Sequence, residues 1–359
     1  MTSLSAEWVV TDVAVFDGAS LTPPGWLSFT HQGLNHGQGA PPQAVNVIDG
    51  KGGFVSPPLL DTHTHGGGGF SAERGADDMA GVINFHSSKG VKGMLLSLMT
   101  DSLSALGTQL ERAASLQDER FLGIHLEGPF LSQNFRGCHP PNHLQKPSDG
   151  AITELLSRGE GVLKSITVAP ELLHPHQLEL LVESGIQVCL GHTSCDYETA
   201  RAFFSGAPRI VTHAFNAMPS IHHRSPGPVL AALESGAYTE LIADGHHVVP
   251  AVANLLNPEK VILVTDAIAA TGQGDGDYVL GTNDVHVRDG VARDSSGSLA
   301  GSTLLLHQAV TNYARWSGSP EHALRAATKN PAEAYGLKIP SLDDGILLWN
   351  SRLGFERIL

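Results

Sequence analysis

Apolar and polar positions alternate in blocks along most of this chain. From about residue 53 onward, short runs rich in Val, Ile and Leu are separated by longer stretches with helical character. The eight runs lie at residues 53–60, 91–99, 121–126, 163–168, 186–190, 209–211, 240–243 and 261–265. Runs that are apolar on both faces and separated by helices are typical of parallel strands covered on both sides.

Helix boundaries support this pattern in two of the linking segments. Pro175 can open a helix that ends before Gly185, and Thr193 with Ser194 can cap a helix that runs to Phe204. Repeated β/α units of this kind predict a closed (β/α)8 TIM-like barrel, and the alternative is a doubly wound open sheet.

The two ends of the chain follow a different pattern. Residues 8–16, 45–48 and 345–349 are expected to form short strands, whereas residues 30–42, with their Gly, Pro and Asn, are expected to form a loop. Because both ends have β character outside the barrel pattern, we predict a small β-sandwich domain built from residues 1–55 and 335–359. Residues 56–334 then form the barrel domain.

Residue types that bind metals and transfer protons follow the predicted strands. The segments are DTHTHG from Asp61, HLEGP from His125, GHT from Gly191, THAFN from Thr212, DGHH from Asp244 and TDA from Thr265. In a (β/α)8 barrel the active site lies at the C-terminal ends of the strands, so these side chains converge on one face. Imidazoles and carboxylates are ligands that divalent transition metals accept.

The spacing of the first pair favours a shared ion. His63 and His65 are two residues apart, so in an extended strand end both side chains point the same way. A single histidine is more often an ordinary core or loop residue. Coincidence does not account for the whole set at strand ends, which is His63, His65, Glu127, His192, His213 and Asp266.

Other histidines and the cysteines are interpreted as ordinary residues. Histidines away from strand ends, expected on the surface or in packing, are His31, His36, His86, His174, His176, His286, His307 and His322. Cys189 lies inside a strand run and is expected to be a small buried hydrophobe, and nothing near Cys138 activates its thiol.

Composition narrows the class of protein. The 359 residues are 41% hydrophobic and contain three cysteines without a CxxC pair, which argues against a disulfide framework or a thiolate zinc site. No apolar run approaches the ~20 residues of a membrane span, and the polar start lacks a signal peptide, so a cytoplasmic protein is expected. The net charge of −14 argues against a nucleic-acid surface, and a phosphorylated ligand would need a local cluster of cations.

Together the motifs resemble a known family. HLEGPF with the following GCHP, and then GHTSCD, THAFNAMP, ADGHH, VTDA and LAGS, are similar to the blocks of N-acetylglucosamine-6-phosphate deacetylases, members of the amidohydrolase superfamily. The blocks run in the expected order from about residue 57 to residue 302, and as a set they are highly specific. HxH and VTDA alone would indicate only an amidohydrolase.

The resemblance implies a metal centre and a catalytic residue. It assigns Glu127, His192 and His213 to the principal metal, and His63 with His65 to a second ion that Glu127 bridges, with Asp266 as the catalytic aspartate beside the metal. Zn²⁺ suits these ligands, although Fe²⁺, Mn²⁺ or Co²⁺ would also fit, with one or two ions per subunit.

The resemblance also implies substrate contacts and a homodimer. His247 corresponds to the residue that orients the acetamido group, His139 to a sugar contact, and Asn216 and Ala217 to phosphate-side contacts. Arg224 corresponds to an arginine that reaches the phosphate in the neighbouring subunit's site. The implied reaction is hydrolysis of N-acetylglucosamine 6-phosphate to glucosamine 6-phosphate and acetate.

Two segments depart from the family pattern. Pro57 and Pro58 stand where the family usually has Gly, and the C-terminal SLDDGILLWNSRLG differs from its usual closing segment. These departures concern the small domain. Asp61 is expected either behind the HxH imidazoles or as a plain strand-end aspartate, and the Gly-rich residues 271–276 are expected to form a flexible loop over the site.

Chemistry gives Asp266 and His247 distinct roles. Asp266 can take a proton from the attacking water and return it to the amine nitrogen, and His247 can hydrogen-bond the carbonyl oxygen. The alternatives are a deacetylase of another N-acyl substrate, such as N-acetylgalactosamine 6-phosphate, and a non-enzymatic sugar-phosphate sensor. The sensor is disfavoured because Asp266 and every expected ligand are present.

Overall fold

A computed structural model describes residues 6–31, 33–206 and 210–359. The strands, numbered along the chain, are β1 Ala6–Val15, β2 Gly25–Thr30, β3 Gly33–Gly37, β4 Ala44–Ser56, β5 Leu59–Thr64, β6 Gly66–Gly67, β7 Phe70–Ser71, β8 Val91–Met99, β9 Phe121–Glu127, β10 Leu163–Val168, β11 Gln187–Leu190, β12 Ile210–Val211, β13 Tyr238–Ile242, β14 Val261–Val264, β15 Gly276–Leu280, β16 Asn283–Arg288, β17 Val291–Asp294, β18 Leu347–Trp349 and β19 Phe355–Ile358. The α-helices are α1 Ala76–Ser87, α2 Leu103–Ala113, α3 Asp149–Arg158, α4 Pro175–Glu183, α5 Tyr197–Phe204, α6 Gly227–Ser235, α7 Pro250–Ala253, α8 Leu306–Ser317, α9 Pro320–Ala326 and α10 Lys329–Tyr335.

Eight parallel strands form the barrel. Their order is β5, β8, β9, β10, β11, β12, β13 and β14, each hydrogen-bonded in parallel to the next. A parallel bridge between Thr64 and Ala267 links the last strand to the first. Each strand leads to a helix, from α1 after β5 to α8 after β14. The predicted (β/α)8 barrel is confirmed. The alternative, a doubly wound open sheet, does not match the structure, because the last strand is linked to the first.

Burial explains the apolar runs. All six residues of β5 and all four of β14 are buried, as expected for strands that have side chains inside the barrel and helices outside it. The main core joins these strands to the inner faces of the helices. Among the described residues, no helix is long and apolar enough to cross a membrane.

Both ends of the chain contribute to one six-stranded sheet, in the order β19-β18-β4-β1-β2-β3. The sheet curls, because β3 at one edge contacts the turn Leu342–Asp344 that precedes β18. Val10, Leu27 and Leu348 are buried in its own small core. The predicted small β-structure from both termini is confirmed.

Several predicted boundaries were wrong. The run at 53–60 is split, because β4 of the terminal sheet ends at Ser56 and β5 begins at Leu59. Pro57 and Pro58 between them have no N–H for a strand ladder. The segment 30–42 is not simply a loop, since it contains β3, an edge strand that pairs with β2. Asp196, rather than Thr193 or Ser194, caps α5 by accepting a hydrogen bond from the Thr199 N–H.

The sequence pattern missed one substructure. After β14 the chain forms a three-stranded antiparallel sheet, β15-β16-β17, before α8. Its small core includes Leu280, Val285 and Val287. This core also contains Met99, which lies at the end of β8. This insertion therefore lies at the C-terminal mouth of the barrel. Arg209, in the predicted sixth run, lies outside the described residues.

Candidate metal centre and active site

The ends of the barrel strands bring the predicted metal-binding side chains together. His63 lies in β5 and Glu127 ends β9, and the remaining four follow their strands by one or two residues. Those four are His65, His192, His213 and Asp266. All six side chains are buried.

Tight backbone turns direct three of these residues. His192, His213 and Asp266 have φ values of 45°, 28° and 49°, in a region that residues other than glycine rarely adopt. Such conformations persist only where the surrounding structure holds them, and they concentrate at functional sites. In each case the turn immediately follows a barrel strand and places the side chain against the cavity above the barrel.

Glu127, His192 and His213 form the first close set of potential ligands. Glu127 Oε1 lies 3.0 Å from His192 Nε2 and 2.8 Å from His213 Nε2, and the two nitrogens are 3.1 Å apart. We call these three residues the first set. They are the residues that the family resemblance assigns to the principal metal.

His63, His65 and the same Glu127 form the second close set. The two histidine Nε2 atoms are 3.3 Å apart, and Glu127 Oε2 lies 3.3 Å from His65 Nε2. Asp266 belongs to neither set, but its Oδ1 lies 3.5 Å from His63 Nε2 and 3.4 Å from His65 Nε2. Glu127 is therefore shared between the sets, with Asp266 beside the second.

Both sets have the chemistry of a divalent-metal site. In each, two imidazole nitrogens face one another at close range, an arrangement that a cation between them would stabilise. Burial lowers the pKa of His63, but the surrounding carboxylates of Glu127, Asp266 and Glu240 outweigh it and raise the pKa to about 9. The centre thus attracts positive charge, and its nitrogen and oxygen donors fit one or two divalent ions.

Glu127 is held as a carboxylate. Burial raises its pKa, but His139, His192 and His63 outweigh burial and keep the pKa well below its ordinary value. His139 is buried, which lowers its pKa to about 4 and leaves the ring neutral. Its Nδ1 accepts from the Thr100 N–H at 3.3 Å, so Nε2 can donate to Glu127 Oε2 at 3.2 Å.

Two carboxylates that the sequence analysis missed lie behind the second set. Glu240 Oε2 is 3.3 Å from His63 Nδ1, and Glu73 Oε1 is 3.4 Å from His65 Nδ1. Carboxylates in this position fix the tautomer of a metal-binding imidazole. Asp61 instead accepts hydrogen bonds from the Thr265 hydroxyl at 2.6 Å and from the His63 backbone N–H at 3.3 Å. It thus holds the backbone of the strand ends and does not contact an imidazole ring.

A cavity of about 540 Å³ lies above the metal-binding side chains. His139, Asn216, Ala217 and His247, the predicted substrate contacts within one subunit, all line it. His247 Nδ1 lies 2.7 Å from Asp244 Oδ2. A ring fixed in this way can present its Nε2 to a ligand.

The insertion sheet, rather than the predicted Gly-rich loop, contributes to the cavity wall. Leu280 of β15 supplies a lining side chain, and after β17 the lining side chains are Ser296, Ser298 and Leu299. The segment 271–276 supplies none of the described lining residues. The available signal was the alternation of apolar and polar residues over 285–288, followed by Asp289 and Gly290, a pattern typical of a β-hairpin.

Two arginines differ in their relation to the cavity. Arg224 is exposed and lies outside the lining of the cavity, with Nη1 2.8 Å from His223 Nε2. Arg136, which the sequence analysis missed, does line the cavity and donates to the carbonyl oxygen of His139 at 2.7 Å. Its position next to Gly137 and Cys138 in the GCHP block was the available indication.

The histidines expected to be ordinary stay outside the cavity, whereas Cys138 lines it. Among the described lining residues, none is one of the eight histidines assigned to surface or packing roles. Cys189 is buried in β11, and burial raises the pKa of the Cys138 thiol. A raised pKa disfavours the reactive thiolate.

Comparison with known proteins identifies the same family as the sequence motifs. The sequence model of the Amidohydrolase family matches residues 54–346. N-acetylgalactosamine-6-phosphate deacetylase of Escherichia coli O157:H7 is 33% identical over 341 residues, which are 91% of this chain and 89% of the relative. N-acetylglucosamine-6-phosphate deacetylase of Vibrio furnissii is 32% identical over 86% of this chain and 78% of its own length.

A solved structure is similar over nearly the whole chain. It is a mutant N-acetyl-D-glucosamine-6-phosphate deacetylase of Mycobacterium smegmatis in complex with N-acetyl-D-glucosamine-6-phosphate. The identity is 34%, the TM-score is 0.90, and the match covers 99% of this chain and 98% of the other. The chain therefore belongs to the amidohydrolase family and, within it, to the group of sugar-phosphate deacetylases that includes these relatives.

Proposed function

We propose that this protein hydrolyses the acetamide of N-acetyl-D-glucosamine 6-phosphate and releases acetate and D-glucosamine 6-phosphate. The observation that carries the proposal is the pair of close sets sharing Glu127, with Asp266 beside them at the floor of the cavity. Relatives of this name match most of the chain. As a member of this group the protein is a hydrolase of carbon–nitrogen bonds other than peptide bonds, in amino-sugar metabolism.

An acetamide resists water because its carbonyl is a weak electrophile and its amine is a poor leaving group. A divalent ion supplies Lewis-acid chemistry, which polarises a carbonyl and lowers the pKa of water. Glu127, His192 and His213 would hold the principal ion, and His63 with His65 a second one. We assign Zn²⁺, because imidazole nitrogens and one carboxylate are donors that zinc prefers.

Asp266 transfers the proton in this proposal. Its carboxylate lines the cavity and borders the second set, so it can take a proton from the attacking water and then deliver it to the departing nitrogen. The proton that Asp266 accepts in the first transfer leaves in the second, so Asp266 ends each turnover as it began it.

His247 binds the carbonyl oxygen. Asp244 accepts from the backbone N–H groups of His246 and His247 at 2.8 and 2.9 Å, and it also lies against the His247 ring. Burial raises the pKa of Asp244, but these hydrogen bonds outweigh it and keep the pKa below its ordinary value. The ionised carboxylate thus fixes the ring, whose Nε2 faces the developing negative charge on the carbonyl oxygen.

The phosphate is bound by polar groups at the cavity and by a second subunit. Asn216 and Ala217 line the cavity on the side assigned to the phosphate, and Arg224 would reach the neighbouring subunit's substrate in a homodimer. A guanidinium can meet a phosphate with two hydrogen bonds, and it counters the net charge of −14 locally. The exposure of Arg224 in a single chain is compatible with this role.

Acetate release tests the proposal. N-acetylglucosamine 6-phosphate and the unphosphorylated sugar are compared with native protein, with chelated protein and with protein to which Zn²⁺ has been restored. We expect turnover that needs both the phosphate and the metal. Absence of turnover by zinc-loaded protein would reject the assigned reaction.

The epimeric substrate needs its own comparison. The Escherichia coli O157:H7 relative is named for N-acetylgalactosamine 6-phosphate, which differs at one hydroxyl group. We expect a higher kcat/KM for the glucosamine epimer, and the reverse order would assign this chain to the other substrate. Arg224→Gln should raise KM for the phosphorylated sugar with little change in kcat, and dimerisation is measured by analytical ultracentrifugation.

A further inference from the structure

Glu240 is a buried carboxylate beneath the metal-binding side chains. It lies in the middle of β13, is 1% exposed, and is surrounded by the closed barrel. Its Oε2 lies 3.3 Å from His63 Nδ1 and accepts from the backbone N–H of His213 at 3.4 Å. A carboxylate is almost never fully buried without partners, so these contacts account for its position.

A second residue fixes the orientation of Glu240. The Tyr335 hydroxyl, at the end of α10, donates to Glu240 Oε1 at 3.1 Å, and the Thr62 hydroxyl donates to the same oxygen at 3.5 Å. Tyr335 and Glu240 are 95 residues apart in the chain, so only the closed barrel brings them together. One oxygen of Glu240 is thus occupied by hydroxyl donors, and the other faces the His63 ring.

The two sets differ in what lies behind their imidazoles. Both rings of the second set face carboxylates, Glu240 behind His63 and Glu73 behind His65. In the first set, His192 Nδ1 lies 2.9 Å from a backbone carbonyl, and His213 Nδ1 has no hydrogen-bond partner among the described residues. A carboxylate behind a ring keeps its proton on Nδ1, directs the Nε2 lone pair at the metal and makes the ring a better donor.

We propose that Glu240, oriented by Tyr335, is a positioning residue that sets the affinity of the second metal site through His63. With Glu240 Oε2 at 3.3 Å from its Nδ1, His63 keeps its proton on Nδ1 and presents Nε2 toward Glu127 and Asp266. Without that carboxylate the ring can rotate or change tautomer, and the second set loses a donor while Glu127, His192 and His213 keep theirs. The inference rests on the metal-dependent part of the proposed function and not on its substrate.

Zinc binding tests the proposal directly. Metal-free protein is titrated with Zn²⁺ against a chromophoric chelator, and zinc per chain is counted by mass spectrometry after equilibrium dialysis. We expect two ions per chain for the native protein. Glu240→Gln keeps the shape but removes the charge, and should weaken the second ion by about 10- to 100-fold while leaving the first unchanged. Tyr335→Phe should weaken the same ion by a smaller factor.

Tyr238→Phe is the matched control. Tyr238 lies in the same strand and donates to Glu333 at 3.2 Å, which is also a tyrosine–glutamate hydrogen bond but lies away from the metal centre. Its zinc affinities should equal those of the native protein. Circular dichroism verifies that each variant is folded. If Glu240→Gln does not fold, the zinc affinities of Tyr335→Phe decide whether the carboxylate positions the second metal site.

Three results would overturn the inference. They are a native protein that binds a single zinc ion, a folded Glu240→Gln variant with both native affinities, and an equal loss of both ions, which would make Glu240 merely structural. Because zinc and not acetate is measured, failure of the deacetylase assignment would not produce any of these results.

Discussion

Replacing Asp266 by asparagine should lower turnover by several orders of magnitude and leave the metal centre intact. The residue has a φ of 49°, and Asn and Asp tolerate this backbone region better than other side chains with a Cβ. Asn therefore preserves the turn after β14, which alanine would strain. The exchange removes the charge and the proton-accepting oxygen and preserves the shape.

The structure allows the size of the effect to be worked out. Proton transfer by a positioned side chain contributes about 10²- to 10⁴-fold to a rate. Because Asp266 is assigned two transfers per turnover, we expect kcat to fall by about 10³- to 10⁴-fold, which is about 4 to 5 kcal/mol in activation free energy. Asp266 belongs to neither close set, so the zinc content should stay the same.

The assay is steady-state acetate release together with zinc counting. Asp12→Asn is the matched control, because Asp12 also has a φ of 49° but is exposed in the terminal sheet. The control should have native kcat and KM. A folded, zinc-loaded Asp266→Asn variant with kcat within tenfold of native would refute the assignment of proton transfer to Asp266. Loss of zinc in this variant would instead make Asp266 a ligand.

Three further changes test other parts of the structure. Trp349→Ala should lower the free energy of unfolding by about 3–5 kcal/mol in urea titration, because Trp349 is fully buried and donates to the Ser56 hydroxyl at 2.9 Å. Burial lowers the pKa of His86 to about 4, so between about pH 6.5 and 4 the unfolded chain binds a proton that the folded chain does not, and stability falls as the pH falls. From pH 6.5 to 5 the native protein should therefore lose about 1.6 kcal/mol more in free energy of unfolding than His86→Gln, and an equal loss would contradict this. Gly301→Ala places a Cβ 2.9 Å from the Asp266 carbonyl oxygen at a φ of 60°, and should lower kcat by about 10²-fold with zinc retained, as measured by acetate release.

The barrel was predictable because its strands are buried on both faces. Such strands are continuous apolar runs, like β14, and can be recognised without an alternation of apolar and polar residues. The helices between them indicate the fold class, a parallel β/α structure. The terminal sheet was less predictable. β3 has a single large apolar residue, Leu34, and forms because β2 lies beside it, a tertiary effect that local propensity does not contain. Pro57 and Pro58 were the available evidence that one run belonged to two sheets.

The metal-binding candidates were predictable because they occur in short motifs at strand ends. His63 and His65 are two residues apart, and GHT and THAFN each follow an apolar run. The residues behind them were not predictable in the same way. Glu73 lies in a short 3-10 helix, Ala72–Arg74, without a motif, and its contact with His65 depends on how this helix packs back on the end of β5. Glu240 begins an apolar run, and a charged residue in a strand with both faces covered was itself an indication of a buried partner.

The two sets of potential ligands are therefore held by different physical means. In the first set, His192 and His213 are directed by turns with positive φ. The His192 Nδ1 atom faces a backbone carbonyl, and His213 Nδ1 has no hydrogen-bond partner in the described part of the chain. In the second set, His63 lies within β5 at a point where the pairing with β8 shifts register, and its φ is not positive. The buried carboxylate of Glu240 lies against its ring and holds the ring in place. It follows that distortion of the strand-end turns should affect the first set, whereas loss of Glu240 should affect the second. A variant of one kind can thus separate the two metal sites although they share Glu127.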